Sequence, residues 1–409
     1  MAVTIENIHA AAEAIGGEVI RTPLVPSPRL SDQLGCELHL KLENLQYTGS
    51  FKDRGALYKL KSLTPEQAKS GVIAMSAGNH AQGVAYHAQR LGIPATIVMP
   101  EFAPFSKVER TRSFGAKVVL VGDTLDVSAT AAREIAEKEN LTFVHPYDDE
   151  FIVAGQGTIG LEIMEDRPDL DAIVVPIGGG GIISGIAIAA KAANPKIKLY
   201  GVEVELFPSM YQSIGGLKAT SGGTTLADGI AVKNPGKLTR AIIGELVEEI
   251  LLVNETDIEF AIAMLVENQK LVAEGAGAAG IAALMAHGER FSGQKVATVI
   301  CGGNIDVRLL SGVLSRQLVR DGRMVRLRID IIDRPGVLAK LTEVIGRNGG
   351  NIIEVQHQRL FYDVPIKQAE IDIIVETRNA THVQEIVDAL KAGGFSSRVL
   401  SNRALDANS

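Results

Sequence analysis

The feature that most restricts how this 409-residue chain can fold is a rhythm. From Cys36 to about Val319, short apolar runs alternate with helical stretches, and many of the 42 glycines fall where one hands over to the other. Parallel strands need a crossover connection, usually a helix, so the rhythm predicts an α/β fold with a parallel sheet. Leu38, Leu40 and Leu42 alternate with His39, Lys41 and Glu43, which predicts a half-buried strand ending before a polar loop. Further strands are expected at Val72 to Met75, Ala95 to Met99, Ala116 to Val121, Ala172 to Pro176, Lys198 to Val202 and Val296 to Ile300. In such sheets crossovers are right-handed and ligands bind beyond the carboxyl ends of the strands.

Near Arg323 the pattern changes to strand, helix, strand, twice over: Val325 to Ile331, Pro335 to Asn348, Ile352 to Leu360, Gln368 to Glu376, His382 to Ala392 and Phe395 to Leu400. This predicts a βαββαβ module over about 324–403, separated by a linker at Leu318 to Met324 from a first domain spanning 1–320. Pro335 is expected near a helical start, where its missing N–H costs little.

Composition narrows the function. The charge of -7 is interspersed and no basic block offers a nucleic-acid footprint, so small-molecule partners are favoured. No apolar run reaches the 18 residues that would suggest a membrane span. The first 17 residues carry acidic groups and no continuous apolar core, so they do not read as a signal peptide. Cys36 and Cys301 are too few for a disulfide framework, and no zinc spacing is present, which fits a reducing cytoplasm.

Four segments carry chemistry. In Gly49-Ser50-Phe51-Lys52-Asp53-Arg54-Gly55, Lys52 is expected in the first turn of a helix running to about Leu63. A cation there loses roughly 0.3 to 1 kcal/mol to the helix dipole, whereas a neutral amine does not. The same field lowers the lysine pKa and attracts phosphate, conditions suited to imine formation with a phosphorylated aldehyde; the ordinary alternative is a solvated lysine. Gly178, Gly179, Gly180 and Gly181 join an apolar strand to a helical stretch beginning near Ile182, so their amides can converge on an anion; the alternative is a flexible turn. Ser76-Ala77-Gly78-Asn79-His80 follows another strand and can hold a carboxylate on its amides, or be a helix start capped by Ser76. Asn79 can bond a phenolic ring oxygen, and His80 is read as ordering the loop rather than acting as a base. Cys301, in Cys301-Gly302-Gly303-Asn304, offers a neutral thiol to a pyridine nitrogen, which suits elimination better than transamination; a buried small hydrophobe is the alternative.

These segments, with Arg21-Thr22-Pro23-Leu24, Lys41-Leu42-Glu43-Asn44 and Ala227-Asp228-Gly229-Ile230, resemble the threonine/serine dehydratase family of fold-type-II pyridoxal-phosphate enzymes over about 5–320. The resemblance implies a two-lobed catalytic domain with a smaller lobe nested at about 47–145. It implies pyridoxal 5'-phosphate bound to Lys52 as a Schiff base, beside Phe51 and Asn79, with phosphate on Gly178 to Ile182 and Cys301 at the pyridine nitrogen. Lys52 would shuttle the α-proton, and Ser76 to His80 would hold the substrate carboxylate. The implied reaction is L-threonine to 2-oxobutanoate and ammonium, and L-serine to pyruvate. Serine racemase is the rival within the fold, and its family pattern has a serine at the position of Ala77. A threo-3-hydroxyaspartate dehydratase and a non-catalytic amino-acid sensor are further alternatives. Relatives hold a divalent cation through positions matching Glu203, Phe207 and Ser209; without a second carboxylate, potassium or no metal fits equally well. The terminal module resembles an ACT domain, with Asp333-Arg334-Pro335-Gly336 as its loop pattern, implying an amino-acid or nucleotide effector or assembly into a homodimer or tetramer.

Overall fold

The computed structural model describes residues 2–358 and 368–400. The chain forms two compact units, Met1–Asp306 and Val307–Ser409. The boundary lies upstream of the expected linker, because a helix over Val307–Arg320 continues into it and the next strand begins at Met324.

The first unit contains two sheets. Strands β1 (Leu24–Pro26), β2 (Glu37–Lys41), β7 (Ala172–Pro176), β8 (Lys198–Val204), β9 (Glu249–Val253) and β10 (Lys295–Val299) form the larger one, in the order β1-β2-β10-β7-β8-β9. All its pairings are parallel except β1 with β2. Strands β3 (Val72–Met75), β4 (Ala95–Met99), β5 (Lys117–Leu120) and β6 (Thr142–Phe143) form a smaller, wholly parallel sheet in the order β5-β4-β3-β6. β1, β6 and β9 were not among the expected strands. β1 and β6 have only three and two residues, too few to establish a period.

The expected half-exposed face of β2 is instead buried. His39, Lys41 and Glu43 are as enclosed as Leu38 and Leu40. The polar side is tolerated because its charges are paired: Lys41 meets Glu162, while Arg54 spans Glu43 at 2.8 Å and Glu162 at 2.6 Å. Arg54 lies one turn or less from Lys52, so this cluster anchors the helix Lys52–Lys61 to the larger sheet.

That helix is also fixed by backbone contact. The helix Glu150–Asp166 carries Gly155, Gly157 and Gly160, and its backbone runs against two neighbours. A methyl group added at Gly155 would lie 2.7 Å from the Gly55 Cα atom; one added at Gly185, in the helix Gly181–Ala193, would lie 2.3 Å from the Val153 carbonyl oxygen and 2.5 Å from the Gly157 nitrogen. One helix therefore spaces the element bearing Lys52 from the element that follows the glycine run.

The second unit pairs β11 (Met324–Ile332), β12 (Asn351–Gln358), β13 (Gln368–Glu376) and β14 (Ser396–Val399) antiparallel in the order β12-β13-β11-β14, with helices Val337–Arg347 and Ala380–Ala392. Leu327, Ile329, Leu341, Ile345, Ile371, Ile373, Ile386 and Leu390 form its core. Pro335 precedes the helix rather than opening it, and Gly336 (φ +85°) supplies the turn into Val337. The end of the expected strand Ile352 to Leu360 and the module's last residues, 401–403, lie outside the described residues.

Gly185→Ala should lower stability by about 2 kcal/mol through forced separation of the two backbones. Gly244→Ala, at an exposed helical site with open space around it, should instead raise stability by up to about 1 kcal/mol. Chemical denaturation of the two variants beside the parent measures both; equal effects would contradict the packing argument.

Candidate active site

Lys52 is the first residue of its helix, directly after the N-cap Phe51. The loop before it is stitched to the loop after β10. Ser50 bridges Gly302, the Phe51 N–H donates to the Cys301 carbonyl at 3.0 Å, and the Gly303 N–H donates to the Gly49 carbonyl at 2.9 Å. Lys52 and Cys301, 249 positions apart in sequence, are thus held side by side. Asp53 closes the loop by accepting from the Thr48 N–H at 3.0 Å and from the Thr48 hydroxyl.

The Lys52 amine donates to the Pro146 carbonyl at 2.8 Å and lies 4.9 Å from the centre of the Phe51 ring. Burial pulls its pKa down to about 8, against the smaller opposing influence of Cys301 and Glu274. Burial pushes the Cys301 thiol strongly up, so it stays protonated at neutral pH.

The next residue along from Pro146 reaches the glycine run. The Tyr147 ring lies flat against Gly179, where an added methyl would fall 2.1 Å from a ring carbon, and the Tyr147 hydroxyl donates to the Asn234 carbonyl at 2.8 Å. Gly178 packs against Gly229 and Ile230, bringing the Ala227-Asp228-Gly229-Ile230 segment to the same place. Gly178 to Ile182 are buried, and among the described residues no acceptor takes the N–H groups of Gly178, Gly179, Gly180 or Gly181. Four dry amide donors in succession, at the start of the helix Gly181–Ala193, form an anion cradle.

On the other side, Ser76 does not cap its helix. Gly78 holds the cap position, and the Ser76 hydroxyl accepts from the Gly78 N–H at 3.1 Å. Ala77 contributes only a methyl. His80 is buried, bonded through Nε2 to the Val144 carbonyl at 2.9 Å, and pulled by burial down to about 3, so it is neutral. Asn79 donates to Glu274 at 2.6 Å and accepts from Asn304 at 2.8 Å.

Lys52, Phe51, the 76–80 segment and Cys301 therefore meet at one place, and the 146–147 step ties the glycine run to it. Glu203 does not join them. Its two carboxylate oxygens accept the N–H groups of Met210 and Tyr211 at 2.9 Å each, and no cluster of three candidate metal ligands exists among the described residues.

Glu274 and Tyr147 escaped the sequence reading. Glu274 precedes the helix Gly275–Ala286 and is pushed by burial to about 7. The signal was an acidic residue opening a helix with no other charge.

Residues 15–302 match the pyridoxal-phosphate dependent enzyme family and residues 321–393 match the ACT domain. The chain belongs to the pyridoxal-phosphate dependent enzymes. It is 48% identical to an L-threonine ammonia-lyase of Thermotoga maritima over 400 residues, covering 97% of this chain and all of that protein. Two solved structures are also similar: the processed form of threonine deaminase isoform 2 from Solanum lycopersicum (37% identity, TM-score 0.71, 76% of this chain and 86% of that one) and maize serine racemase (34% identity, TM-score 0.73, 78% and 99%). Among the described residues no helix is long and apolar enough to cross a membrane.

Only the neutral amine attacks an aldehyde, so uptake of pyridoxal phosphate by the unloaded protein should quicken about tenfold per pH unit and level off above pH about 8. Stopped-flow absorbance tests this. A plateau reached only near 10.5, the ordinary lysine value, would contradict the buried-amine argument.

Proposed function

We propose that this protein is an L-threonine ammonia-lyase, converting L-threonine to 2-oxobutanoate and ammonium and accepting L-serine as a second substrate. The observation that carries this is the convergence of a neutral-prone Lys52 amine, a neutral Cys301 thiol and unsatisfied Gly178 to Gly181 amides. Near-full-length similarity to an L-threonine ammonia-lyase supports the same reading.

The residues present fit pyridoxal phosphate. When bound, that cofactor supplies an electron sink for the bonds at a substrate's α-carbon. Gly178 to Ile182 would take its phosphate on backbone amides, Asn79 its ring oxygen, and Cys301 its pyridine nitrogen, with Phe51 flanking it. A protonated thiol leaves that nitrogen without a charged partner, which suits prompt loss of a β-hydroxyl. The amides of Ser76 to His80 would orient the substrate carboxylate. Lys52, once freed, takes the α-proton, for which a group titrating at about 8 is well matched near neutral pH. Racemisation needs a proton donor on each face of the substrate, and the methyl of Ala77 provides none, which favours elimination.

Both Glu203 oxygens accept backbone N–H groups, and with no second carboxylate beside it potassium or no metal fits equally well; exchanging potassium for sodium in the assay decides between them. The ACT unit would bind an amino-acid effector or pair two copies of the chain. Both cysteines are buried and free, in keeping with a reducing cytoplasm.

Purified protein loaded with pyridoxal phosphate should form 2-oxobutanoate from L-threonine. Lys52→Ala should lose at least about 1,000-fold in kcat through removal of the proton-transfer group. Isoleucine and valine added to the assay report on an effector. Absence of oxoacid from both threonine and serine, or D-serine as the main product, would overturn the assignment.

A further inference from the structure

Asn79 lies in a hydrogen-bonded line whose direction is fixed from one end. The exposed Arg110, on the helix Phe105–Ser113, donates through its guanidinium to Asn304 Oδ1 at 2.8 Å. Asn304 Nδ2 donates to the Thr48 carbonyl at 2.8 Å and to Asn79 Oδ1 at 2.8 Å. Asn79 Nδ2 donates to Glu274 Oε1 at 2.6 Å.

A guanidinium only donates and a backbone carbonyl only accepts. Arg110 therefore holds the Asn304 oxygen on one side, and Thr48 holds its nitrogen on the other. The second Asn304 N–H then faces Asn79, which must present its own oxygen there and its nitrogen towards Glu274. One Asn79 N–H is left uncommitted. Glu274 could not impose this alone, since a carboxyl pushed by burial to about 7 is partly protonated at neutral pH and can donate as well as accept. Space around the line is reserved: a methyl at Gly302 would fall 2.2 Å from Glu274 Oε1, and one at Gly49 would fall 2.7 Å from Asn304 Oδ1.

We propose that Asn304 is a positioning residue, which relays the polarity set by Arg110 and the Thr48 carbonyl to Asn79 and so keeps Asn79 as a hydrogen-bond donor towards the cofactor ring. The proposal rests on the reading that Asn79 faces the ring oxygen of pyridoxal phosphate. A donor at that oxygen favours its ionised, visibly absorbing form; an acceptor favours the protonated form, which absorbs in the near ultraviolet.

Asn304→Asp removes both donors while keeping the oxygen that Arg110 holds, so Asn79 should turn and offer oxygen to the ring. Asn304→Ala removes the relay without adding charge. Arg110→Lys keeps a donor-only group. Two readouts independent of turnover apply to each protein: the ratio of visible to near-ultraviolet cofactor absorbance, and the pyridoxal-phosphate Kd by equilibrium dialysis. Asn304→Asp should move the ratio towards the near ultraviolet and weaken binding about tenfold, the size of one inverted polar contact. Asn304→Ala should show a smaller change in the same direction, and Arg110→Lys none.

Parent-like spectra and affinities for both Asn304 variants would overturn the relay. If Asn304→Asp fails to fold, the Asn304→Ala spectrum decides alone. Failure of the parent itself to bind pyridoxal phosphate would instead sink the functional reading, so the two outcomes are separable.

Discussion

Close backbone contact along the helix Glu150–Asp166 is the constraint on which the site depends. Gly155 meets the backbone at Gly55, and Gly157 meets the backbone at Gly185, so three helices pack with almost no side chain between them. Lys52 is three residues before Gly55, and the glycine run Gly178 to Gly181 ends four residues before Gly185. The distance between amine and anion cradle is therefore set by backbone atoms, which are far stiffer than interleaved side chains. The Arg54, Glu43, Glu162 and Lys41 cluster locks the same helix laterally. Neutralising any one member would leave a net charge in the buried cluster, and removing Arg54 would leave Glu43 without its ion-pair partner.

Burial also decides the protonation of the titratable groups gathered here. Lys52, Cys301 and His80 are all displaced towards their neutral forms by desolvation, and Glu274 is pushed the same way. For Lys52 the folded value lies below the unfolded one. Folding of the unloaded protein therefore becomes more favourable as pH rises from about 8 towards 10.5, and carries a penalty below that window.

The larger pieces were legible in sequence because each is local. An apolar strand followed by Gly178 to Gly181, and Lys52 at a helix start, are patterns a few residues long. The parallel sheets and the βαββαβ module follow from periodicity in the same way. What was not legible arises from contacts between distant segments. Lys41 and Glu43 alternate as a solvated face would, yet are buried because Glu162 and Arg54, more than 100 and 10 positions away respectively, complete their charges. Tyr147 has meaning only once its ring is seen on Gly179, and Asn304 only once Arg110 and Asn79 flank it. The two-residue β6 and three-residue β1 are made by pairing with neighbours rather than by any pattern of their own.

The central claim is that Lys52, and no other lysine, is the residue to which pyridoxal phosphate becomes covalently joined. Borohydride reduction of the loaded protein makes that carbon–nitrogen bond permanent, and peptide mass mapping then locates it. One tag per chain is expected, on the peptide containing Gly49 to Arg54 at Lys52. A tag on any other lysine, or a loaded protein from which reduction recovers no tagged peptide, would contradict it.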